Sequence, residues 1–350
     1  MSMHSIAFFK GVFHRLERYE RHISSVALVV GFVIDNLTLT RIDLWIDHIV
    51  IVAYIIVAVS SIIVVHLPKK GALISRVQPF APLPMQFAFG GLFSSFFVFY
   101  SHSAALASSW FFLLFLSALL VGNEFFKKRY ERLAFQFGIF YIALFSYFVF
   151  IVPVLTKRMG AGIFLLSGAA SIALMSVFIF LLAFIAPLRM REERKVLTKI
   201  IAAIFVAMNV LYFLNIIPPI PLALKEAGVY YSVTRTQDGN YILKGEPRAW
   251  YAFLKRPVLH ISQGAPAYFY SAVFAPTELK TRIVHQWEFF DESRGMWIVS
   301  SRVQFAIVGG RDGGYRGYSF KTNVAPGFWR VSVETERGQL LGRRQFKLER

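Results

Sequence analysis

Apolar residues are gathered into long runs, and this feature most constrains what the chain can fold into. Seven runs each approach the ~20 residues that a helix needs to cross the hydrocarbon layer of a membrane. They are residues 23–40, 45–67, 83–102, 104–122, 133–155, 162–187 and 200–217. Backbone groups in lipid must bond within their own segment, so a helix is expected for each run. The sequence therefore predicts a membrane α-helical bundle of about seven transmembrane helices.

The last run divides the chain into two parts. Residues 1–221 hold the apolar runs, whereas residues 222–350 show the short alternating pattern of a soluble β-rich domain. A basic amphipathic segment at residues 5–21 precedes the first run. It is typical of a helix lying on anionic headgroups, and a solvated helical lead-in is the alternative. Three prolines, Pro218, Pro219 and Pro221, are expected to end the seventh helix and to form a short, stiff spacer.

Basic residues alternate between the connections of the apolar runs. With a cytoplasmic N-terminus, sixteen Lys and Arg fall in four groups on that side, the N-terminal segment and three loops, and three fall on the other: Arg41, Lys157 and Arg158. Such an excess over short loops follows the positive-inside rule. Seven crossings then leave the C-terminal domain outside the cytoplasm. In a bacterium with two membranes, the sequence predicts a multi-pass inner (plasma) membrane protein with a periplasmic C-terminal domain.

From residue 229 onward the apolar period changes from 3.6 to 2. Strands are predicted at residues 229–236, 241–244, 258–262, 268–274, 282–290, 297–308, 315–322, 328–335 and 340–348. Along residues 328–335 apolar and polar residues alternate, as a half-buried antiparallel strand requires. Eight or nine short strands separated by turn residues are typical of an all-β, antiparallel sandwich.

The C-terminal strands also carry a recognisable pattern. His285-x-Trp287 is followed by the motifs of residues 314–321 and 327–335, then by Gly338, Leu341-Gly342 and Phe346. This pattern resembles the bacterial domain of unknown function catalogued as DUF2914, over about residues 255–349. The N-terminal part, with residues 31–39, also resembles the membrane form of that family. The resemblance implies an uncharacterised bacterial envelope protein and brings no assigned activity or catalytic residues.

One set of candidate ligand-binding residues surrounds a glycine-rich loop. The loop contains Arg311 and Asp312 and is followed by Tyr315 and Arg316. Its glycines let the backbone approach a ligand closely, and its arginines suit a carboxylate or phosphate. The alternative is a wide hairpin loop whose glycines serve the turn. The loop precedes a strand and lacks the order of a nucleotide-binding loop.

A second set lies on the neighbouring strands. His285 shares a strand face with Ile283, Trp287 and Phe289, which favours a buried, hydrogen-bonded histidine over a catalytic base. Ser319 and Lys321 follow on the later segment with Arg316. If these side chains met His285 in space, they would form a polar, cationic pocket.

Polar residues also interrupt the apolar runs. Asp35, with Asn36 beside it, lies near the outer end of the first run. An intramembrane carboxylate is a functional hypothesis, here ion or proton handling by a transporter or sensor. Capping a helix or pairing with Arg41 is the structural interpretation, and we favour it. Asn209 in the last run fits an interhelical hydrogen bond.

Chemistry-bearing motifs are sparse. There is no cysteine, which excludes disulfides, thiolate metal sites and cysteine nucleophiles. We identify no catalytic residue, metal site or cofactor motif, and we expect no enzymatic activity. The formal net charge of +18 is explained in the first part by topology, so nucleic acid is not an expected partner. The expected partners are the lipid bilayer and an envelope component: a glycan, a lipid headgroup or a membrane protein.

The side of the membrane on which the C-terminal domain lies can be tested by fusing reporters after Arg350. Because alkaline phosphatase is active only outside the cytoplasm and green fluorescent protein fluoresces only inside it, we expect an active phosphatase fusion and a dark fluorescent one. The opposite pair of signals would refute the orientation.

Overall fold

The structure is a computed structural model, and it describes residues 30, 32–39, 44–68, 72–103, 106–125, 132–219, 221–238, 240–247, 256–310 and 313–350. Its contacts divide the chain into two units. The first unit comprises Met1–Phe99, Leu114–Tyr147 and Ser171–Phe205, and the second comprises Tyr100–Leu113, Phe148–Ala170 and Val206–Arg350. The whole β-rich region therefore belongs to the second unit.

The N-terminal part is helical wherever it is described at length. The helices are α1 (Trp45–His66), α2 (Ala72–Val77), α3 (Pro82–Ser103), α4 (Leu106–Phe125), α5 (Leu133–Thr156), α6 (Ala161–Ile185) and α7 (Pro187–Phe213), with a 3-10 turn at Gln78–Phe80. Five of them, α1, α3, α5, α6 and α7, are long and apolar enough to cross a membrane. Within the described part of α4 the apolar stretch is Ser109–Asn123.

Half of the predicted first run, residues 23–29, 31 and 40, lies outside the described residues, and the described half is helical at residues 30 and 32–38. The structure thus shows a chain with several membrane-length helices. Seven crossings remain a prediction.

Helix α7 differs from the prediction at both ends. It begins at Pro187, so the charged residues 189–199 belong to the same helix as the apolar run. Proline is well suited to a first helical position, and Arg, Glu and Lys are good helix formers. It ends at Phe213, before the three prolines, because Asn215 adopts a positive φ of 58°. The Ile216 N–H then donates to Leu211 O at 2.9 Å and the Asn215 N–H to Tyr212 O at 3.0 Å, the pattern of a Schellman cap.

The described residues of the C-terminal part form ten strands in three sheets. The strands are β1 (Ala223–Tyr230), β2 (Ser232–Arg235), β3 (Tyr241–Lys244), β4 (Val258–His260), β5 (Ala267–Phe274), β6 (Lys280–Asp291), β7 (Met296–Val308), β8 (Tyr315–Lys321), β9 (Gly327–Thr335) and β10 (Leu340–Glu349). One sheet has the order β1-β5-β8, a second has the order β4-β10-β9-β6-β7, and β2 and β3 form a hairpin. All pairings are antiparallel except β4 with β10.

The three-stranded and five-stranded sheets contribute to one hydrophobic core. Phe269 on β5 of the first sheet, and Trp287 on β6 and Phe346 on β10 of the second, are each completely buried. The odd-numbered positions of β8 are on the inner side, as an alternating strand requires. The two sheets therefore turn apolar side chains inward, towards this shared core.

The loop between α5 and α6 joins the β-rich region within the second unit. Met159 packs against its hydrophobic core, and the Lys280 N–H donates to Lys157 O at 3.4 Å. The Lys157 ammonium pairs with the Glu278 carboxylate. An apolar contact and an ion pair thus fasten this loop to the β-rich region.

Met159→Asp tests this attachment. A charge placed against the core has no partner there, so we expect the β-rich region to lose about 2 kcal/mol of stability. Thermal unfolding of the full chain in detergent, followed by the fluorescence of its buried tryptophans, measures the effect. Arg158→Asp, at the exposed neighbouring residue, is the control; equal midpoints for the two variants would contradict the attachment.

Candidate functional site

A hydrogen-bonded polar group lies inside the core between the two sheets. His285 on β6 is fully buried, and its Nε2 lies 2.8 Å from Ser271 Oγ on β5. Its Nδ1 lies 2.9 Å from Ser319 Oγ on β8, and Trp287 Nε1 donates to the same oxygen at 2.9 Å. The imidazole therefore links one strand of the five-stranded sheet to two strands of the three-stranded sheet.

The surroundings of His285 hold it neutral. Phe269 and Phe305 place their rings edge-on to the imidazole, each with centroids 4.9 Å away. Burial lowers the pKa of His285 to about 3, because the charged form is poorly solvated there. A neutral imidazole has one donor and one acceptor nitrogen, and a hydroxyl serves either role, so both contacts are satisfied. The arrangement is a structural hydrogen-bond network enclosed in the core.

The structure brings only part of the second predicted set together. Ser319 contacts His285, whereas Arg316 lies on the opposite face of β8 and Lys321 lies half-buried at the strand's end. Arg316 is directed away from His285, because successive residues of a strand point to opposite faces, and no described hydrogen bond joins Lys321 to His285.

The glycine-rich loop is described only in part. Arg311 and Asp312 lie outside the described residues. Tyr315 is half-buried and packs against the hydrophobic core. The ligand-binding role of this loop stays a prediction.

The outer face of the three-stranded sheet is unusually rich in aromatic residues. We call it the tyrosine-rich face, and it comprises Tyr230, Tyr241, Tyr268, Tyr270, Tyr318 and Phe320. Tyr318 and Phe320 are two residues apart on the same face of β8, and their side chains are 39% and 56% exposed. Tyr268 on β5 is the register partner of Phe320, and its ring centroid lies 5.6 Å from that of Phe320 and 6.2 Å from that of Tyr318. These three rings form a continuous, partly exposed aromatic surface.

The β2–β3 hairpin borders the tyrosine-rich face. Tyr241 on β3 lies 5.6 Å from Tyr270 and 6.1 Å from Tyr318, measured between ring centroids. Tyr270 is buried, and burial with the nearby Glu226 carboxylate raises its pKa to about 12. Arg316 lies at the same edge and donates to Asn240 Oδ1 at 3.0 Å. A guanidinium and tyrosine hydroxyls thus border the exposed rings.

A charged cluster occupies the outer face of the five-stranded sheet, and sequence reasoning missed it. Arg330 on β9 donates two hydrogen bonds to the Glu288 carboxylate, at 2.7 and 2.8 Å, and stacks 4.4 Å from the Trp297 ring. Glu334 is buried nearby, and burial raises its pKa. The alternation of the sequence could have indicated this cluster, because Glu288 on β6 and Arg330 and Glu334 on β9 all occupy outward positions of their strands.

A second missed group joins four parts of the chain at the surface. The Glu246 carboxylate accepts from Tyr231 and lies 2.8 Å from His260 Nδ1, while His260 Nε2 is 3.6 Å from Glu349. Hydrogen bonding to Glu246 is the main cause that raises the pKa of His260. Nothing in the sequence spacing predicted this contact, since the residues are far apart along the chain.

The intramembrane candidates lie in separate places. Asp35 is half-buried beside Ser94 of α3, and Tyr54 of α1 lies near it. Asn36 is exposed and Asn209 is half-buried in α7. Asp35 therefore has polar neighbours within the first unit; the favoured structural interpretation and the alternative of ion handling both stay predictions.

Fold and site together define a protein with membrane-length helices followed by a β-rich domain with an aromatic outer face. Residues 280–348 match the family described as "Protein of unknown function (DUF2914)", so the C-terminal part carries a DUF2914 domain. This confirms the resemblance drawn from the motifs of β6, β8, β9 and β10. The matched stretch begins at β6, while β1 and β5 complete the same core from outside it. No curated protein matches the chain.

Two solved structures are similar to parts of the chain at low identity. An immunoglobulin-like protein from Pseudomonas aeruginosa is 14% identical, with 37% of this chain and 96% of that chain covered and a TM-score of 0.21. The alkylpurine DNA glycosylase AlkC of Pseudomonas fluorescens, bound to DNA containing an abasic site analog, is 9% identical, with 89% and 99% covered and a TM-score of 0.23. Scores this low support no argument about fold or function.

The buried imidazole makes stability depend on pH. The unfolded chain takes up a proton at His285 near pH 6.5, whereas the folded chain does so only near pH 3. Stability from this group is therefore complete above pH 6.5 and falls as the pH drops from there towards 3, by at most about 1.4 kcal/mol per pH unit.

His285→Gln removes the titrating group and keeps hydrogen-bonding atoms for the two serines. We expect a flatter dependence of unfolding midpoint on pH between 4 and 6.5 than in the unaltered protein, measured on the full chain in detergent. His260→Gln, at an exposed histidine, is the control. Parallel curves for His285→Gln and the unaltered protein would contradict the buried, neutral assignment.

Proposed function

We propose that this protein is a multi-pass bacterial inner-membrane protein whose β-rich domain lies in the periplasm and binds an envelope glycan through the tyrosine-rich face. In this proposal the three-stranded and five-stranded sheets are the two layers of a sandwich, and the helical part crosses the membrane seven times. The helices hold the domain close to the membrane surface. The observation that carries the proposal is the exposed aromatic surface of Tyr268, Tyr318 and Phe320.

The geometry of this surface supports a sugar ligand. Pyranose rings present flat C–H faces that pack on aromatic rings, while their hydroxyls need hydrogen-bonding groups at the rim. Tyr268, Tyr318 and Phe320 supply adjacent ring faces along two paired strands. Contiguous exposed aromatic area that is rimmed by polar groups is typical of a binding surface. A rigid sheet also spares the ordering cost that a flexible loop would incur on binding.

Charge favours an acidic glycan. Residues 222–350 hold nineteen Lys and Arg against eleven Asp and Glu. Arg316 lies at the rim of the tyrosine-rich face, and its planar guanidinium suits a carboxylate. Peptidoglycan carries both pyranose rings and carboxylates, so we take it as the glycan class. An excess of positive charge would also speed the encounter with such a polymer.

We propose binding without catalysis and without a cofactor. The serine and histidine side chains that contact each other in the described core, Ser271, His285 and Ser319, are enclosed where a polymer has no access. The exposed rings and the guanidinium of Arg316 supply contact surface and hydrogen bonds. Recognition is therefore the activity that this arrangement favours.

Replacing exposed rings of the tyrosine-rich face tests the proposal. We expect Tyr318→Ala combined with Phe320→Ala to weaken co-sedimentation of the detergent-solubilised full chain with purified peptidoglycan by tenfold or more, since aromatic anchors each contribute about 1–2 kcal/mol. Both side chains point away from the core, so the unfolding midpoint should change little.

Trp297→Ala is the matched control, because it removes a ring from the outer face of the other sheet. Equal binding by the control and the unaltered protein, with loss in the double variant, would place the ligand on the tyrosine-rich face. Equal binding by all three proteins, or no binding by any, would refute the glycan proposal.

A further inference from the structure

An apolar crevice lies between helices α5 and α7 within the first unit. Its volume is about 600 Å³, and its walls include Phe135, Gly138 and Ile142 from α5 and Ile200 and Ile204 from α7. Gly138 has no side chain, so α5 and α7 can approach each other closely at this point without filling the crevice. A Cβ added at Gly138 would lie 3.4 Å from Ile200 Cγ2. A larger side chain at this position would fill the space.

The crevice has the depth of one membrane leaflet. From Arg132 to Ile142 the chain advances about 15 Å at the helical rise of 1.5 Å per residue, which is half of the ~30 Å hydrocarbon layer. Both walls belong to helices that are long and apolar enough to cross the membrane. The medium in contact with such a crevice is lipid, and an extended acyl chain has the matching shape and chemistry.

The charge at one end of the crevice indicates which class of lipid headgroup it would bind. Arg132 lines that end, and within the described part of the chain its guanidinium has no ion pair. On α7, Lys195 and Lys199 are exposed in the turns that precede Ile200, with Glu193 the nearest acidic residue on the wall side of the helix. Basic residues beside a membrane segment attract anionic headgroups.

We propose that the crevice is a binding site for an anionic glycerophospholipid, with one acyl chain between α5 and α7 and the phosphate at Arg132. The acyl chain packs along the crevice against Phe135, Ile142, Ile200 and Ile204, which line it. The phosphate accepts hydrogen bonds from the guanidinium. A zwitterionic lipid fills the crevice equally well and gains less at the headgroup, so the site selects by charge.

The test measures which lipids stay bound to the full chain. The protein is purified in detergent, exposed to an equimolar mixture of phosphatidylglycerol and phosphatidylcholine with identical acyl chains, and examined by native mass spectrometry. We expect retained phosphatidylglycerol to exceed phosphatidylcholine by about fivefold, the preference expected from one guanidinium near the headgroup. Equal retention of the two lipids would overturn the charge selection.

Two variants test the acyl-chain crevice and the headgroup contact separately. Gly138→Leu fills the crevice and should reduce retention of both lipids, whereas Arg132→Gln should lower the excess of phosphatidylglycerol, leaving only the attraction of Lys195 and Lys199 for the headgroup. Gly162→Leu is the matched control for the first, because a Cβ there meets nothing within 4 Å. Arg191→Gln, at an exposed basic residue of α7, is the control for the second.

A further variant keeps the proposal falsifiable if Gly138→Leu misfolds. Ile204→Trp fills the crevice from the α7 side, and size-exclusion chromatography reports whether each variant is folded. Unchanged lipid retention in a folded crevice-filling variant would overturn the proposal. A smaller oligomer for that variant than for the unaltered protein would overturn it as well, since the crevice would then hold a second copy of the chain.

Discussion

The packing of two sheets around one aromatic core is the constraint on which the rest of the β-rich domain depends. Trp287 lies at its centre, with ring centroids 6.2 Å from Phe269, 6.4 Å from Trp329 and 6.2 Å from Phe346. Rings from both sheets thus meet at a single completely buried side chain. Because the side chains of a strand alternate, using the inner face for packing leaves only the outer faces and loops for recognition.

Much of this architecture could be predicted from local patterns. The hairpin of β2 and β3 and the strands from β5 to β10 agree with the predicted segments to within a few residues, because turn residues separate runs of period two. Strand β1 was missed. It begins at Ala223, directly after the proline-rich segment that was interpreted as a spacer. Its place is fixed by pairing with β5, a contact that local sequence does not encode.

The candidate site shows the same division between local and long-range information. Burial of His285 followed from its apolar neighbours on the strand, but its partner Ser271 was not singled out, because the contact joins two different sheets. The tyrosine-rich face was missed for a related reason. Its rings come from β1, β3, β5 and β8, and only the order of the strands brings them together. Local alternation indicates which way a side chain points, while topology decides which side chains become neighbours.

The enclosed network and the exposed aromatic surface are connected through strand register. Ser319 on β8 pairs with Phe269 on β5, which places its hydroxyl against His285. Sliding β8 by two residues would replace Ser319 by Gly317 or Lys321 opposite the imidazole, leaving a buried nitrogen unsatisfied or bringing in a charge. Either change costs more free energy than an apolar mismatch in a core. A buried polar group without a partner has lost its hydrogen bonds to water, and no hydrogen bond in the protein replaces them. We infer that the histidine contributes specificity of register, and that this register holds Tyr318 and Phe320 beside Tyr268 on the outer face.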